Sequence, residues 1–174
     1  MKTVLKNALD LIGNTPIIKL QKIVPENVAE FWLKYEAVNP TGSYKDCMAK
    51  SVLENALKRG DVSHGDNVVE YTGGSTGSAL AFVSAALGLQ FCAVFSDAFS
   101  KSKQQTMVAF GADVIVEESF GKGITPELIQ RMKKKHQSSH AKKILFMRIS
   151  LALQTLQRDM SQWEMKSQCS LEKE

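Results

Sequence analysis

Cysteine is scarce in this 174-residue chain, and the three present, Cys47, Cys92 and Cys169, are odd in number and far apart. That pattern argues against a disulfide framework and lacks the paired spacing of a zinc site, so a reducing compartment is expected. Nowhere do about 18 apolar residues run together, as a membrane-spanning helix would need. The opening stretch MKTVLKNALDLIGNTP has neither the continuous apolar core nor the small-residue cleavage site of a secretory leader. A cytoplasmic location is the resulting expectation. A strong charge of one sign is also missing, since 22 Lys and Arg stand against 18 Asp and Glu for a net charge of +4. The one basic run, Lys133-Lys134-Lys135, has no aromatic residues interleaved. It reads as a solvated helix face rather than a nucleic-acid groove.

What is present is a soluble globular composition, 44% hydrophobic and 23% charged, long enough for one domain with a core or for half of a larger one. VVEY (68–71), FCAVF (91–95) and VIV (114–116) read as buried strands. Between them, GSALAFVSAALG carries apolar residues at helical spacing up to Gly88, and a second helix is expected from about Lys101 to Phe110, stopped by Gly111. Thr125-Pro126-Glu127 opens a further helix, with a capping residue and then proline at the first helical position. Strands alternating with helices predict an α/β fold, a parallel sheet with flanking helices. No internal repeat or low-complexity linker interrupts it.

Two stretches carry chemistry. In NPTGSYKD (39–46), turn residues precede a helix whose apolar face is Met48, Val52, Leu53, Ala56 and Leu57 and whose end is Gly60. Ser43 and Asp46 are spaced as a capping-box-like pair. Lys45 then falls in the first turn, where unpaired backbone N–H groups disfavour an ammonium and favour a neutral, nucleophilic amine. The loop TGGSTG (72–77) lies between a strand and a helix, where a glycine-rich turn either closes backbone N–H groups around an anion or simply reverses the chain tightly. It fits neither the dinucleotide nor the nucleotide phosphate pattern. His136 and His140, four apart, are an incomplete metal pair, and no metal is expected.

IGNTPIIKL (12–20), NPTGSYKD (39–46), VVEYTGGSTGSALAF (68–82) and FGADV (110–114), in this order, resemble the cysteine synthase family of fold type II pyridoxal-phosphate enzymes. The resemblance covers about residues 1–132. It implies that Lys45 is the catalytic residue and binds pyridoxal 5'-phosphate as a Schiff base. It also implies that Thr72, Gly73, Gly74, Ser75, Thr76 and Gly77 hold the substrate α-carboxylate, with Ser75 near the cofactor. The implied reaction is β-replacement forming L-cysteine from an activated serine and sulfide or another thiol. Cystathionine β-synthase chemistry, serine/threonine dehydratase chemistry and a non-catalytic fragment are the alternatives. The implied partners are small molecules and a second copy in a homodimer, with no nucleic acid and no membrane. In domain terms, 1–38 would belong to the family's larger domain and 39–132 to the smaller one.

Three departures stand out. Ser75 replaces the family's usual asparagine, and Cys47 replaces an arginine, removing a long charged fork. After Met132 the resemblance stops, and residues 133–174 read as an atypical tail. Regrouping codons across the tail forces glycine from Trp163-Glu164 and glutamate from Met165-Lys166, and permits family-like strings elsewhere. The expectation is therefore a frame slip between Arg131 and Lys143, and a chain whose activity is impaired by truncation. A divergent C-terminal helix is the alternative.

Overall fold

The structure, a computed structural model, describes residues 4–22, 25, 29–138 and 144–146. After a 3-10 turn at Ala8–Leu11, strands β1 (Ile17–Lys19) and β2 (Trp32–Lys34) pair antiparallel, Ile18 opposite Leu33. Neither strand was legible in the sequence: each is three residues long, too short to show a period-2 pattern. A second 3-10 turn at Glu36–Val38 leads to helix α1 (Lys45–Arg59). From there strands and helices alternate: β3 (Asn67–Tyr71), α2 (Ser75–Leu87), β4 (Gln90–Ser96), α3 (Lys101–Ala109), β5 (Asp113–Glu117), α4 (Pro126–Ser138) and β6 (Ile144–Phe146).

The last four strands form one parallel sheet in the order β5-β4-β3-β6, with Cys92 opposite both Val69 and Asp113. This is the predicted parallel sheet with flanking helices. Strand β4 shows why its sequence is apolar throughout. Phe91, Ala93 and Phe95 join the core built with Leu53 of α1, Leu80 of α2 and Met107 of α3, while Val94 packs with Leu128 and Met132 of α4. Both faces of the strand are covered, so alternation disappears. Leu53, Leu80 and Phe95 are at most 1% exposed, and burial of each contributes on the order of 1.5–3 kcal/mol.

Helix α4 starts as its sequence foretells, with the Thr125 hydroxyl accepting from the Leu128 N–H at 3.2 Å. Most of the expected out-of-frame tail, 133–174, lies outside the described residues. Within it, 133–138 complete α4, where His136 is buried and its Nε2 is 3.0 Å from the Val69 carbonyl oxygen. Residues 144–146 are β6, with Ile144 opposite Asn67. His140, the other half of the histidine pair, and Cys169 are outside the described residues. Among the described residues no helix is long and apolar enough to cross a membrane.

Candidate functional site

The first motif folds into a tight, polar entrance to α1. The N-cap is Tyr44, and its side chain makes no capping bond, so the capping box anticipated at Ser43 and Asp46 does not form. Among the described residues Ser43 Oγ accepts only from the Lys45 N–H, at 3.2 Å. Asp46 turns back instead: fully buried, it accepts from the Thr41 N–H at 2.8 Å and from the Thr41 hydroxyl. A buried carboxylate is favourable only with such donors, and Thr41 supplies both. Asn39, also buried, accepts from the Gly13 N–H at 3.0 Å and donates to Glu36 Oε2 at 2.8 Å. The IGNTP and NPTGSYKD stretches are thus sewn together through Asn39. Burial pushes the Glu36 carboxyl up, but hydrogen bonds from Lys34, Thr15 and Asn39 outweigh it and hold the group below its usual range.

On this base Lys45 is half-buried, with Nζ 4.3 Å from the centroid of the Tyr44 ring. No carboxylate pairs with it among the described residues. The amine is held against an aromatic face and is otherwise open to reaction.

The second motif is the turn from β3 into α2. Thr72 is buried, and its hydroxyl accepts from the Gly74 N–H at 3.2 Å and the Gly77 N–H at 3.0 Å. Among the described residues the N–H groups of Gly73, Ser75 and Thr76 have no partner, so Thr72 shapes the turn and leaves donors at the helix start for an anion. Two glycines are required by geometry. Gly74 has φ +150°, a conformation side chains rarely adopt. A Cβ on Gly77 would sit 2.5 Å from both Met107 Sδ and Thr72 Cγ2.

Helices α1 and α2 lie in one core, Met48 and Ala49 with Ala79 and Leu80, so lysine and loop sit at the starts of two helices packed together. No hydrogen bond or ring contact joins Lys45 to residues 72–77 among the described residues.

Sequence reasoning passed over Glu70, although a glutamate inside a strand read as buried was signal enough. It is fully buried two residues before Thr72, with Oε1 accepting from the Tyr71 N–H at 3.0 Å and Oε2 without a hydrogen-bond partner. Burial raises its pKa to about 8, against the smaller opposing effect of the Tyr71 N–H. Thr41 was also passed over, since nothing in NPTGSYKD marks the threonine as the partner of Asp46.

Among known proteins, the family described as "Pyridoxal-phosphate dependent enzyme" matches residues 8–143. The chain belongs to this family. Cysteine synthase B of Escherichia coli (strain K12) is 44% identical over 105 residues, 60% of this chain and 35% of the relative. O-ureido-L-serine synthase of Streptomyces lavendulae is 42% identical over 108 residues, 62% and 33% of the two chains. A crystal structure of cysteine synthase from Entamoeba histolytica superposes with a TM-score of 0.71 at 30% identity, covering 83% of this chain and 43% of that one. The chain therefore spans about a third of the length of the curated relatives it matches, and its fold is that of the fold type II enzymes. The family depends on pyridoxal phosphate, and the residues present fit that group: a lysine amine free of carboxylate partners, and a turn with unpaired N–H donors.

Proposed function

We propose that this chain carries a pyridoxal-phosphate site for β-replacement, with an activated L-serine and sulfide as substrates and L-cysteine as product. The observation that supports the reading is that an uncommitted lysine at the start of α1 and a glycine turn with open N–H groups at the start of α2 sit on two helices packed in one core. Lys45 Nζ would hold the cofactor covalently and, once released, take the substrate α-proton. Bound there, the cofactor supplies an electron sink for the α-carbon. The N–H groups of Gly73, Ser75 and Thr76 would orient the α-carboxylate, and the Ser75 hydroxyl would donate toward the cofactor. In this reading residues 39–132 act as the smaller, substrate-binding domain, a second copy forms a homodimer, and the setting is a reducing cytoplasm that suits the free thiols of Cys47 and Cys92.

The similarity to O-ureido-L-serine synthase supports a second reading, in which the nucleophile added to the same serine-derived carbon is hydroxyurea. Incubating the cofactor-loaded chain with O-acetyl-L-serine and either sulfide or hydroxyurea separates the two by mass of product. Cysteine formed by the parent and not by Lys45→Ala supports the first reading. O-ureido-L-serine alone supports the second, and no turnover with either nucleophile, both in this chain and in one continued in the other frame beyond residue 131, overturns both.

A further inference from the structure

Helix α3 and the residue just before its cap, Phe99, lie along the loop at 72–77. Phe99, Lys103 and Met107 recur every four residues, and each meets a different glycine. A Cβ on Gly73 would be 2.9 Å from Phe99 Cε1, one on Gly74 3.2 Å from Lys103 Cγ, and one on Gly77 2.5 Å from Met107 Sδ. Two members of the stripe are apolar, as the packing of a helix onto a tight turn calls for. The middle one is a lysine, and it lies over Gly74, the cap residue just before α2.

Packing alone would be served by methionine or leucine at 103. The Lys103 stem does fill that role, since Cβ and Cδ also approach the Gly74 position, at 3.6 and 3.8 Å. Beyond Cδ remain two bonds, about 2.5 Å of reach, ending in an ammonium that makes no hydrogen bond or ion pair among the described residues. With its stem against Gly74, that charge stays within about 2.5 Å of Cδ, beside the turn. There it adds to the partial positive charge of the unpaired N–H groups of Gly73, Ser75 and Thr76.

We propose that Lys103 is a specificity-determining residue of this site, the cation that gives the loop its preference for an amino-acid substrate with a free α-carboxylate over the uncharged amide. The inference rests on the reading of residues 72–77 as the carboxylate loop. One lysine charge within several ångströms of a carboxylate, in a partly hydrated cleft, corresponds to about fivefold to tenfold in affinity. Such a contribution weakens as salt is added.

The test is binding, measured on the cofactor-loaded chain by calorimetry with L-serine and L-serinamide as probes, at low and at high salt. Four proteins are compared: the parent, Lys103→Met, Lys103→Arg and Gly74→Val. Lys103→Met keeps the unbranched stem, and unchanged far-UV circular dichroism verifies the fold. The expected result is L-serine binding weakened about fivefold to tenfold at low salt in Lys103→Met and restored in Lys103→Arg, with serinamide binding little affected by the methionine and the salt dependence of L-serine binding reduced by it. If Gly74→Val abolishes L-serine binding while Lys103→Met binds like the parent at both salt concentrations, the proposal for Lys103 is overturned and the loop assignment survives. If neither variant changes L-serine binding, or the parent binds L-serine no better than serinamide, the loop assignment falls and takes the role of Lys103 with it.

Discussion

Replacing Glu70 by glutamine should remove most of the pH dependence of folding between weakly acidic and weakly alkaline conditions. In the folded chain the carboxyl is fully buried, Oε2 has no partner, and the pKa is raised to about 8 from an ordinary 4.5. Between those values the native state keeps a proton that the unfolded chain has already released. Stability is thus fullest below 4.5 and falls with rising pH, by about 1.4 kcal/mol per pH unit, until it levels off above about 8. The fall across the whole window is roughly 5 kcal/mol, comparable to the entire stability of many small domains. Glu70→Gln keeps a side-chain oxygen for the Tyr71 N–H and nearly the same volume, but it cannot ionise. Urea unfolding followed by far-UV circular dichroism, at pH 5 and at pH 8.5, should show the parent losing several kcal/mol between the two while the variant loses far less. Parallel losses in both proteins would refute the assignment of a neutral Glu70.

Gly77→Ala places a methyl 2.5 Å from Met107 Sδ and Thr72 Cγ2, and should lower the urea midpoint by the equivalent of about 1–3 kcal/mol while weakening L-serine binding. Asp46→Ala strips the Thr41 N–H of its partner and should destabilise by about 1–3 kcal/mol, read from the same unfolding curves. It should also slow modification of Lys45 by pyridoxal phosphate, because the turn that aims the lysine loosens. Sequencing the DNA that encodes 131–143 and the region beyond tests the frame slip: the other frame should encode a glycine- and threonine-rich loop.

The elements from α1 to α4 were legible because each carries its own local signal. Apolar runs marked the strands, Gly60, Gly88 and Gly111 marked helix ends, and Thr125-Pro126 marked a helix start. The β1–β2 ribbon carries no such signal, and its Ile17, Ile18, Trp32 and Leu33 stay exposed, so neither period nor burial singles it out. At the site, Lys45 and residues 72–77 stood out as motifs, but what surrounds them did not. The link from Asp46 to Thr41 spans a turn, and the approach of Phe99, Lys103 and Met107 to three glycines depends on how α3 docks on α2. Such contacts are decided by tertiary packing, which spacing along the chain does not encode. Ser43 and Asp46 show the converse: the spacing of a capping box was present, yet the aspartate takes the N–H and hydroxyl of Thr41 instead.

The central claim is that Lys45 is the residue that holds pyridoxal phosphate. The most direct measurement is to incubate the chain with pyridoxal phosphate, reduce with borohydride and map the labelled peptides by mass spectrometry. A stoichiometric label on Lys45, absent from Lys45→Ala, is the predicted result; a label that settles on another lysine, or spreads evenly over the surface lysines, would contradict the account.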